Sequence, residues 1–580
     1  MGDMMRVFSV LSLNVVLISL VSSQQILGQI KTQAPDDVVR TKMELVQTDV
    51  TVVDKRGRFV EGLSAEDFEL RVDSKLQSLS FFEQVRTGSV DEEMQLTAAR
   101  KGGATPQAKL VKTPASAGDR ERVIFFFVDD VHLTSEGLNR ARSVLTHFVE
   151  NKMMAKDRVA IVSTTGQIGF LQQLTDNKAV LREAVSRLNS KYNPETTASH
   201  VSISEVDANL VANHYDRGLF SYLMEATMRE FQTGPANAFT IVTNRVRQIN
   251  AQSRIAEIDT LSRVEGLLRS TTPLAGRKVL FFISDGFVVD TKRSNGLDVM
   301  RRIVNDAARV GVVIYTLNTR SNSLGPGADV SSNGYPDFSP RTATRSLAES
   351  RMPQEPLQTL ADETGGQAYL NSNALDDGIA NALSESSSYY LLAWRPDSET
   401  QRAGKSRINV SIKGRQDLRV RMRRHFFDFR ENQAAANTPA GTAAPAPEDD
   451  LKAALGSLYP RRDLPASVST SFVKTADKGT VLNVSMKIDC ETLGFDEFGG
   501  KSRAVVDVLG SALNDRGRFS SFRQKLEIPR EVVLTKDGRF IKWTQSLPLP
   551  PGLYQVRVAV RDRQTGRTGS AMTWTEIPLD

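Results

Sequence analysis

The sequence predicts an α/β domain with a mostly parallel central sheet and flanking helices, joined to domains made of β-strands. Two apolar runs predict the parallel sheet: Val123–Val128 and residues 279–283 are each long enough for a strand buried on both faces. Each run leads into carboxylates, Asp129 and Asp130 after the first and Asp285 after the second. Alternating apolar residues before and after this region predict the additional β-domains.

The residues after the first run predict a helix that begins at the same edge of the sheet. Ser135 is a candidate N-cap, and Glu136 is favourable in the first turn. The apolar residues that follow are spaced for one helical face: Leu138, Ala141, Leu145, Phe148 and Val149. Acidic and hydroxyl groups therefore gather at the carboxyl edge of a central strand, where open α/β sheets bind ligands.

Length, charge and cysteine content limit the possible classes of protein. The chain has 580 residues, enough for several domains that each bury a core. Its formal net charge is +6, with basic and acidic residues mixed along the sequence, so the charge does not predict a nucleic-acid partner. Cys490 is the single cysteine, which excludes an intrachain disulfide and a zinc site built from cysteines.

The N-terminus predicts an exported protein. Residues 7–21 are mostly apolar and lead to a small-residue cleavage site near Ser23, so residues 1–23 are predicted to be a signal peptide. The alternative is an uncleaved membrane anchor, for which the apolar stretch is short. Translation from Met4 or Met5 would also yield a signal peptide. After cleavage we expect a periplasmic or extracellular protein without a membrane-spanning segment.

The residues between the signal peptide and the α/β domain divide into strands and a linker. Residues 40–86 are predicted to be β-rich, with a turn signal at 54–57 and alternating apolar residues at 68–72. Residues 88–121 are rich in Ala, Gly, Lys, Pro and Thr and lack apolar periodicity. We therefore predict that they form a flexible linker.

The α/β domain is predicted to extend over residues 122–387. Residues 159–162 are its second strand, and residues 168–174 are predicted to be an antiparallel third strand because only a short glycine-containing turn separates the two. Residues 190–265 are predicted to be a mostly helical insertion. A final helix is predicted to end near Glu385.

The order of these elements resembles the von Willebrand factor type A (VWA) domain: a strand ending in Asp, a helix, a strand pair, a helix and a strand ending in Ser-Asp-Gly. Such domains often carry a metal-ion-dependent adhesion site. Its motif is D-x-S-x-S after the first strand, a Thr on a later loop, and the Asp of a D-G pair after the fourth strand. Asp285-Gly286 matches the D-G pair. The stretch GRFVEGLSAEDFELRVDSK also resembles the N-terminal segment of a bacterial, exported VWFA-related family.

The first element of the adhesion motif has two registers in this sequence. Counting from Asp129 places no hydroxyl at the two serine positions. Counting from Asp130 places His132 and Thr134 there, which keeps one hydroxyl and is the preferred register. Imidazole suits softer metals than Mg²⁺, so His132 departs from the pattern.

The resemblance implies a site for Mg²⁺, or for Mn²⁺ or Ca²⁺, at which an acidic residue of a protein ligand completes the coordination shell. Thr196 and Thr197 are candidates for the Thr of the later loop, with an ordinary polar loop as the alternative. The candidate metal ligands are Asp129, Asp130, Thr134 and Asp285.

The chain beyond the α/β domain is predicted to be β-rich as well. Within residues 388–428, apolar side chains alternate with Arg419, Arg421 and Arg423. This arginine face would suit phosphate or an anionic polymer, and a solvated outer face is the favoured interpretation. The remainder is predicted to be an Ala- and Pro-rich linker over 431–450 and an immunoglobulin-like sandwich over 455–580.

Residues 40–86 and 388–428 each have too few strands to close a sandwich by themselves. We therefore predict that they form one shared β-sandwich, with the VWA-like domain inserted between its halves. The predicted contact joins Phe68 or Leu70 to residues 389–394 or to the apolar face at 418–422.

The sequence contains no recognisable catalytic motif. None of its five histidines belongs to a His-Glu-x-x-His pattern, and there is no G-x-S-x-G elbow. His132 lies near Asp130 and Ser135, but these residues share one short turn, and VWA domains are generally not enzymes. We expect an exported, non-catalytic protein that binds an unidentified protein ligand or a cell surface through the degenerate adhesion site. The alternatives are a metal-free scaffold and a hydrolase using His132.

Overall fold

The computed structural model describes residues 46–87, 122–191, 203–213, 216–274, 276–290, 295–320, 343–371, 374–395, 405–422, 425–427, 447–456, 460–461, 463–475, 479–498, 501–514, 519–533 and 540–578. The predicted signal peptide, the predicted linker at 88–121, Thr196, Thr197 and Arg423 lie outside the described residues.

The strands, in chain order, are β1 (Val46–Val53), β2 (Phe68–Val72), β3 (Lys75–Gln77), β4 (Leu79–Arg86), β5 (Val123–Val128), β6 (Arg158–Ser163), β7 (Lys278–Ile283), β8 (Val312–Leu317), β9 (Ala368–Tyr369), β10 (Ser388–Trp394), β11 (Lys405–Ile412), β12 (Arg419–Met422), β13 (His425–Phe427), β14 (Ala466–Thr475), β15 (Gly479–Asp489), β16 (Asp496–Phe498), β17 (Lys501–Asn514), β18 (Phe519–Pro529), β19 (Phe540–Pro548), β20 (Gly552–Asp562) and β21 (Thr568–Ile577).

The α-helices are α1 (Ser135–His147), α2 (Lys178–Ser186), α3 (Glu205–Asn213), α4 (Arg217–Phe231), α5 (Pro235–Ser270), α6 (Gly296–Val310), α7 (Ala343–Arg351), α8 (Glu355–Thr364), α9 (Leu375–Glu385), α10 (Pro447–Gly456) and α11 (Arg530–Val533). The mostly helical insertion corresponds to α3, α4 and the greater part of α5. In the described part of the chain, none of the helices combines the length and the apolarity that crossing a membrane requires.

A five-stranded parallel sheet with the order β6-β5-β7-β8-β9 forms the centre of the α/β unit. Helices α1, α2 and α9 cover one face of this sheet, and α5, α6 and α8 cover the other. Val128 pairs with Ser163 on one side and with Ile283 on the other, so β5, β6 and β7 end at the same edge. The predicted mixed α/β architecture with a parallel sheet is therefore confirmed.

The predicted third strand at 168–174 is wrong. This stretch contains a short 3-10 helix, Gly169–Leu171, and the residue after the stretch, Thr175, forms an isolated bridge to Val159 of β6. Gly166 and Gly169 have φ of 69° and 58°, which turns the chain away from an extended path. At the end of the edge strand β6, the side chain of Gln172 takes the place of a partner strand: its Oε1 accepts a hydrogen bond from Ser163 N at 3.0 Å.

Residues 46–86 and 388–427 form two four-stranded sheets in common, with the orders β12-β1-β10-β4 and β13-β11-β2-β3. The two sheets share one apolar core, and the ring centroids of Phe68 and Tyr390 lie 5.2 Å apart within it. The end of this second segment contains two short strands, β12 and β13, which lie in different sheets. The chain therefore crosses from one sheet to the other at this point.

The C-terminal region contains a sheet β14-β15-β19 and a second sheet β16-β17-β20-β21, with β18 also paired to β17. Part of the linker predicted over 431–450 is helical, because α10 begins at Pro447. Proline suits the first turn of a helix, and the acids that follow it favour the helix N-terminus. Leu451 and Ala454 of this helix are buried against Ala559 of β20.

Candidate functional site

The carboxyl edge of the parallel sheet brings together the loops that follow β5 and β7. The side chains of Asp129, Asp130 and Asp285 lie there, and all three residues have 0% exposure. The backbone N–H of Asp129 donates to the carbonyl of Ile283 at 2.9 Å, which ties the two loops together. The sequence thus predicted the edge at which these acids lie.

Asp285 and Thr134 are in direct contact. Thr134 donates two hydrogen bonds to Asp285 Oδ2, from its backbone N at 2.9 Å and from its Oγ1 at 2.8 Å. The same Oγ1 accepts from Gly137 N at 3.0 Å, so Thr134 is the N-cap of α1 and the predicted cap Ser135 is its first residue. Asp285 therefore places a negative charge beside the N-terminus of α1, where the helix dipole favours it.

Gly137 allows this close approach between the α1 terminus and Asp285. A Cβ at this position would lie 2.6 Å from Asp285 Oδ2 and 2.5 Å from Thr319 Oγ1. The Thr319 hydroxyl donates to the other oxygen of the Asp285 carboxylate. Both oxygens of Asp285 are thus held by protein donors.

Asp129 is the centre of a buried hydrogen-bond network. Its Oδ2 accepts from His132 Nδ1 and from Ser284 Oγ, each at 2.8 Å. Its Oδ1 accepts from Thr260 Oγ1 at 3.1 Å and from Thr164 Oγ1 at 3.2 Å. A carboxylate has about four lone-pair positions, and here the four bonds use them all.

The charges of Asp129 and His132 stabilise each other. Burial raises the pKa of the Asp129 carboxyl, but the positive charge and hydrogen bond of His132 outweigh it and hold this pKa below its usual value. Burial lowers the pKa of His132, but Asp129, with Glu205 and Glu257, raises it above its usual value. The directions of both pKa shifts favour a carboxylate at Asp129 and a protonated ring at His132.

Asp130 faces the loop after β6. Its Oδ1 accepts from Thr165 N at 3.0 Å, and its Oδ2 accepts from the Thr165 hydroxyl and from Gln167 Nε2 at 2.5 Å. Burial raises the pKa of Asp130 above its usual value, and the charge of Asp129 adds to this rise. Among the hydrogen bonds of the described residues, none links Asp130 to Thr134 or Asp285.

The Asp129 carboxylate does not fit a Mg²⁺, Mn²⁺ or Ca²⁺ ion. Such ions need oxygen atoms with lone pairs that are free to coordinate, whereas all four lone-pair positions of this carboxylate accept hydrogen bonds from the protein. Every carboxylate oxygen of Asp130 and Asp285 also accepts at least one hydrogen bond from the protein. When it is protonated, the His132 ring also places a positive charge 2.8 Å from Asp129 Oδ2, which opposes a cation there. Within the described ranges, no group of three or more His, Cys, Asp or Glu side chains is arranged to hold a metal ion.

The helical insertion covers this edge of the sheet. Thr260 of α5 reaches Asp129, and Ser253 of the same helix donates to Glu205 of α3 at 3.2 Å. Sequence reasoning did not find Thr260 or Thr164, because neither belongs to a local motif. Ser284 had a signal, since it precedes Asp285 in the Ser-Asp-Gly sequence.

Comparisons with known proteins identify no family. No protein-family model matches the chain, and no curated protein matches it. Among solved structures, a putative ApaA protein from Bordetella pertussis is 14% identical, with a TM-score of 0.15, over 20% of this chain and 95% of that chain. The X-ray structure of the structural genomics target SoR45 is 13% identical, with a TM-score of 0.14, over 20% of this chain and 88% of that chain. Likenesses this weak carry no argument about fold or function.

Proposed function

We propose that this chain is an exported, non-catalytic binding protein in which a VWA-type α/β domain serves as a metal-free scaffold. Support for the VWA-type assignment comes from β5 and β7, adjacent parallel strands that each lead into an acid at the same edge. The observation that carries the metal-free proposal is the saturation of the Asp129 carboxylate by four protein donors. On this proposal the acids of the family's metal site hold loops and a helix terminus together.

Catalysis by His132 has little support. Its Nδ1 is bonded to Asp129, its ring packs against Phe287 in a tilted arrangement with centroids 5.2 Å apart, and the residue is 4% exposed. A general base must come within hydrogen-bond reach of a substrate. Burial at this level argues against such access, so the proposal keeps His132 as a structural cation.

A divalent-cation titration tests the metal-free proposal. We expect the melting temperature of the mature protein, stripped with chelator, to stay unchanged when excess Mg²⁺ or Mn²⁺ is added, because a ligand that does not bind the folded state does not stabilise it. The measurement is differential scanning fluorimetry of the full mature chain.

A rise in melting temperature would contradict the metal-free proposal. Asp285→Ala, measured in parallel, would then assign the effect. If this substitution abolished the rise, an adhesion-type cation site at the predicted residues would replace the metal-free scaffold.

Export is the second part of the proposal. The apolar stretch at 7–21 and the small residues before residue 24 support removal of a signal peptide near Ser23. We expect N-terminal sequencing of the exported protein to begin within a few residues of this position. Exported protein that still began at its initiator Met would contradict cleavage.

A further inference from the structure

A groove lies between the α8–β9 corner of the α/β unit and the strands β2, β11 and β12. Its cavity volume is about 1130 Å³. The charged side chains that line it are Arg71, Arg407, Arg419, Arg421, Asp73 and Asp362. We call it the arginine groove.

Arg421 connects the two sides of this groove. Its guanidinium pairs with Glu385 at the end of α9 and donates to Gln367 next to β9. The Arg421 side chain is 15% exposed and that of Glu385 is 2% exposed, so the pair is largely buried. Arg421 therefore does not belong to a solvated outer face, and it holds β12 against the α/β unit.

Arg407 of β11 and Arg419 of β12 differ from Arg421 because both are exposed. Within the described part of the chain, the structure gives neither guanidinium a hydrogen bond or ion pair. Arg71, the remaining arginine of the groove, is bonded to Glu69 at 2.6 Å. The guanidiniums of Arg407 on β11 and of Arg419 on β12 are therefore available to a ligand.

Size and charge indicate the class of ligand. Small-molecule pockets typically measure about 300–1,000 Å³. The groove is larger than this range, so its size suits a segment of a polymer such as a peptide. Guanidinium pairs with carboxylate through two parallel hydrogen bonds. Asp73 and Asp362 also line the groove, and they would repel a polymer that carries a negative charge at every unit. A peptide with spaced acidic side chains avoids that repulsion.

We propose that the arginine groove binds an extended acidic peptide segment of a protein partner, with Arg407 and Arg419 pairing with its carboxylates. The inference rests on the proposed binding function and gives that function a site away from the saturated carboxyl edge. The lining of the groove comes from both the α/β unit and the first pair of sheets, which the Arg421–Glu385 pair joins beside the groove. A bound segment therefore contacts both parts of the structure.

Fluorescence anisotropy with labelled model peptides tests this site on the full mature chain. The probes are an eight-residue peptide of alternating Glu and Val, the matching Lys peptide, and inorganic polyphosphate as competitor. We expect the Glu peptide to bind, the Lys peptide not to bind, and the affinity for the Glu peptide to fall about tenfold or more in the Arg407→Ala/Arg419→Ala variant. Both residues are exposed, so this variant should melt like the wild type.

The matched control is Arg301→Ala/Arg309→Ala on α6, which removes the same charge outside the groove. Equal weakening in both double variants, or failure of the wild type to bind the Glu peptide, would overturn the groove proposal. Polyphosphate that bound more tightly than the Glu peptide and required the same two arginines would replace the peptide with a polyanion. None of these results alters the cation titration, which tests the metal-free scaffold separately.

Discussion

Asp129→Ala is expected to destabilise the α/β unit strongly. The substitution leaves the imidazolium of His132 buried without its counter-charge, and it removes the acceptor of Ser284, Thr164 and Thr260. Removing one partner of a buried ion pair costs about 3–5 kcal/mol. For a unit of this size, each kcal/mol lowers the melting temperature by about 2–4 °C. Thermal unfolding followed by circular dichroism measures the shift.

Two further variants test the origin of this loss. Asp298→Ala removes an exposed carboxylate of α6, and we expect its effect to stay within about 0.5 kcal/mol. In the Asp129→Ala background, His132→Leu removes the stranded charge and should recover part of the stability. If Asp129→Ala melted like the wild type, the carboxylate would not be the centre of the network. If the double variant recovered nothing, the ion pair would not be the cause.

The carboxyl edge illustrates what local sequence can and cannot predict. The continuous apolar runs of β5 and β7 predicted both strands. They also predicted that Asp129 and Asp285 lie at one edge, because neighbouring parallel strands end on the same side of a sheet. The partners of those acids come from distant segments: Thr260 lies 131 positions from Asp129. A hydroxyl within a long helix has no local signal, so the saturation of the Asp129 carboxylate was not predictable.

The errors in strand and cap prediction have similar causes. Residues 168–174 contain apolar residues suited to a strand, but two positive-φ glycines and the Gln172 side chain end the pairing. Ser135 and Thr134 are both good N-caps by type, and the contact of Thr134 with Asp285 decides between them. The Pro- and Ala-rich composition of residues 431–450 predicts a linker along its whole length, whereas the structure begins helix α10 at Pro447.

The first pair of sheets depends on contacts between segments that are far apart in the chain. Among the described strands, six antiparallel pairings hold these sheets together. Four of them join residues 46–86 to residues 388–427: β1 with β10, β1 with β12, β4 with β10, and β2 with β11. Tyr390 lies at the centre of the shared core with 0% exposure. Its ring centroid is within 5.2–5.5 Å of the rings of Phe59, Phe68 and Phe82.

Tyr390→Ala is therefore expected to destabilise these sheets by about 3–5 kcal/mol, the range for replacing a large buried aromatic residue by alanine. The substitution also removes the hydroxyl that donates to Val60 O at 2.8 Å and accepts from Leu63 N at 3.2 Å. Because Tyr390 contacts strands of both segments, we expect β2 and β10 to lose hydrogen-exchange protection together, while β5 and β7 of the parallel sheet keep theirs. Hydrogen exchange read by mass spectrometry measures each strand.

Two matched variants separate the shared core from a general loss of stability. Tyr390→Phe keeps the ring packing and loses only the hydroxyl bonds, so its cost should be about 1 kcal/mol. Phe472→Ala removes an aromatic residue of β14 that is 39% exposed, and protection of β2 and β10 should not change. If Tyr390→Ala loosened β10 while β2 kept its protection, the two segments would not unfold as one unit. The α/β unit would then not be inserted into a single cooperative sandwich, because the halves that flank it would each be stable without the other.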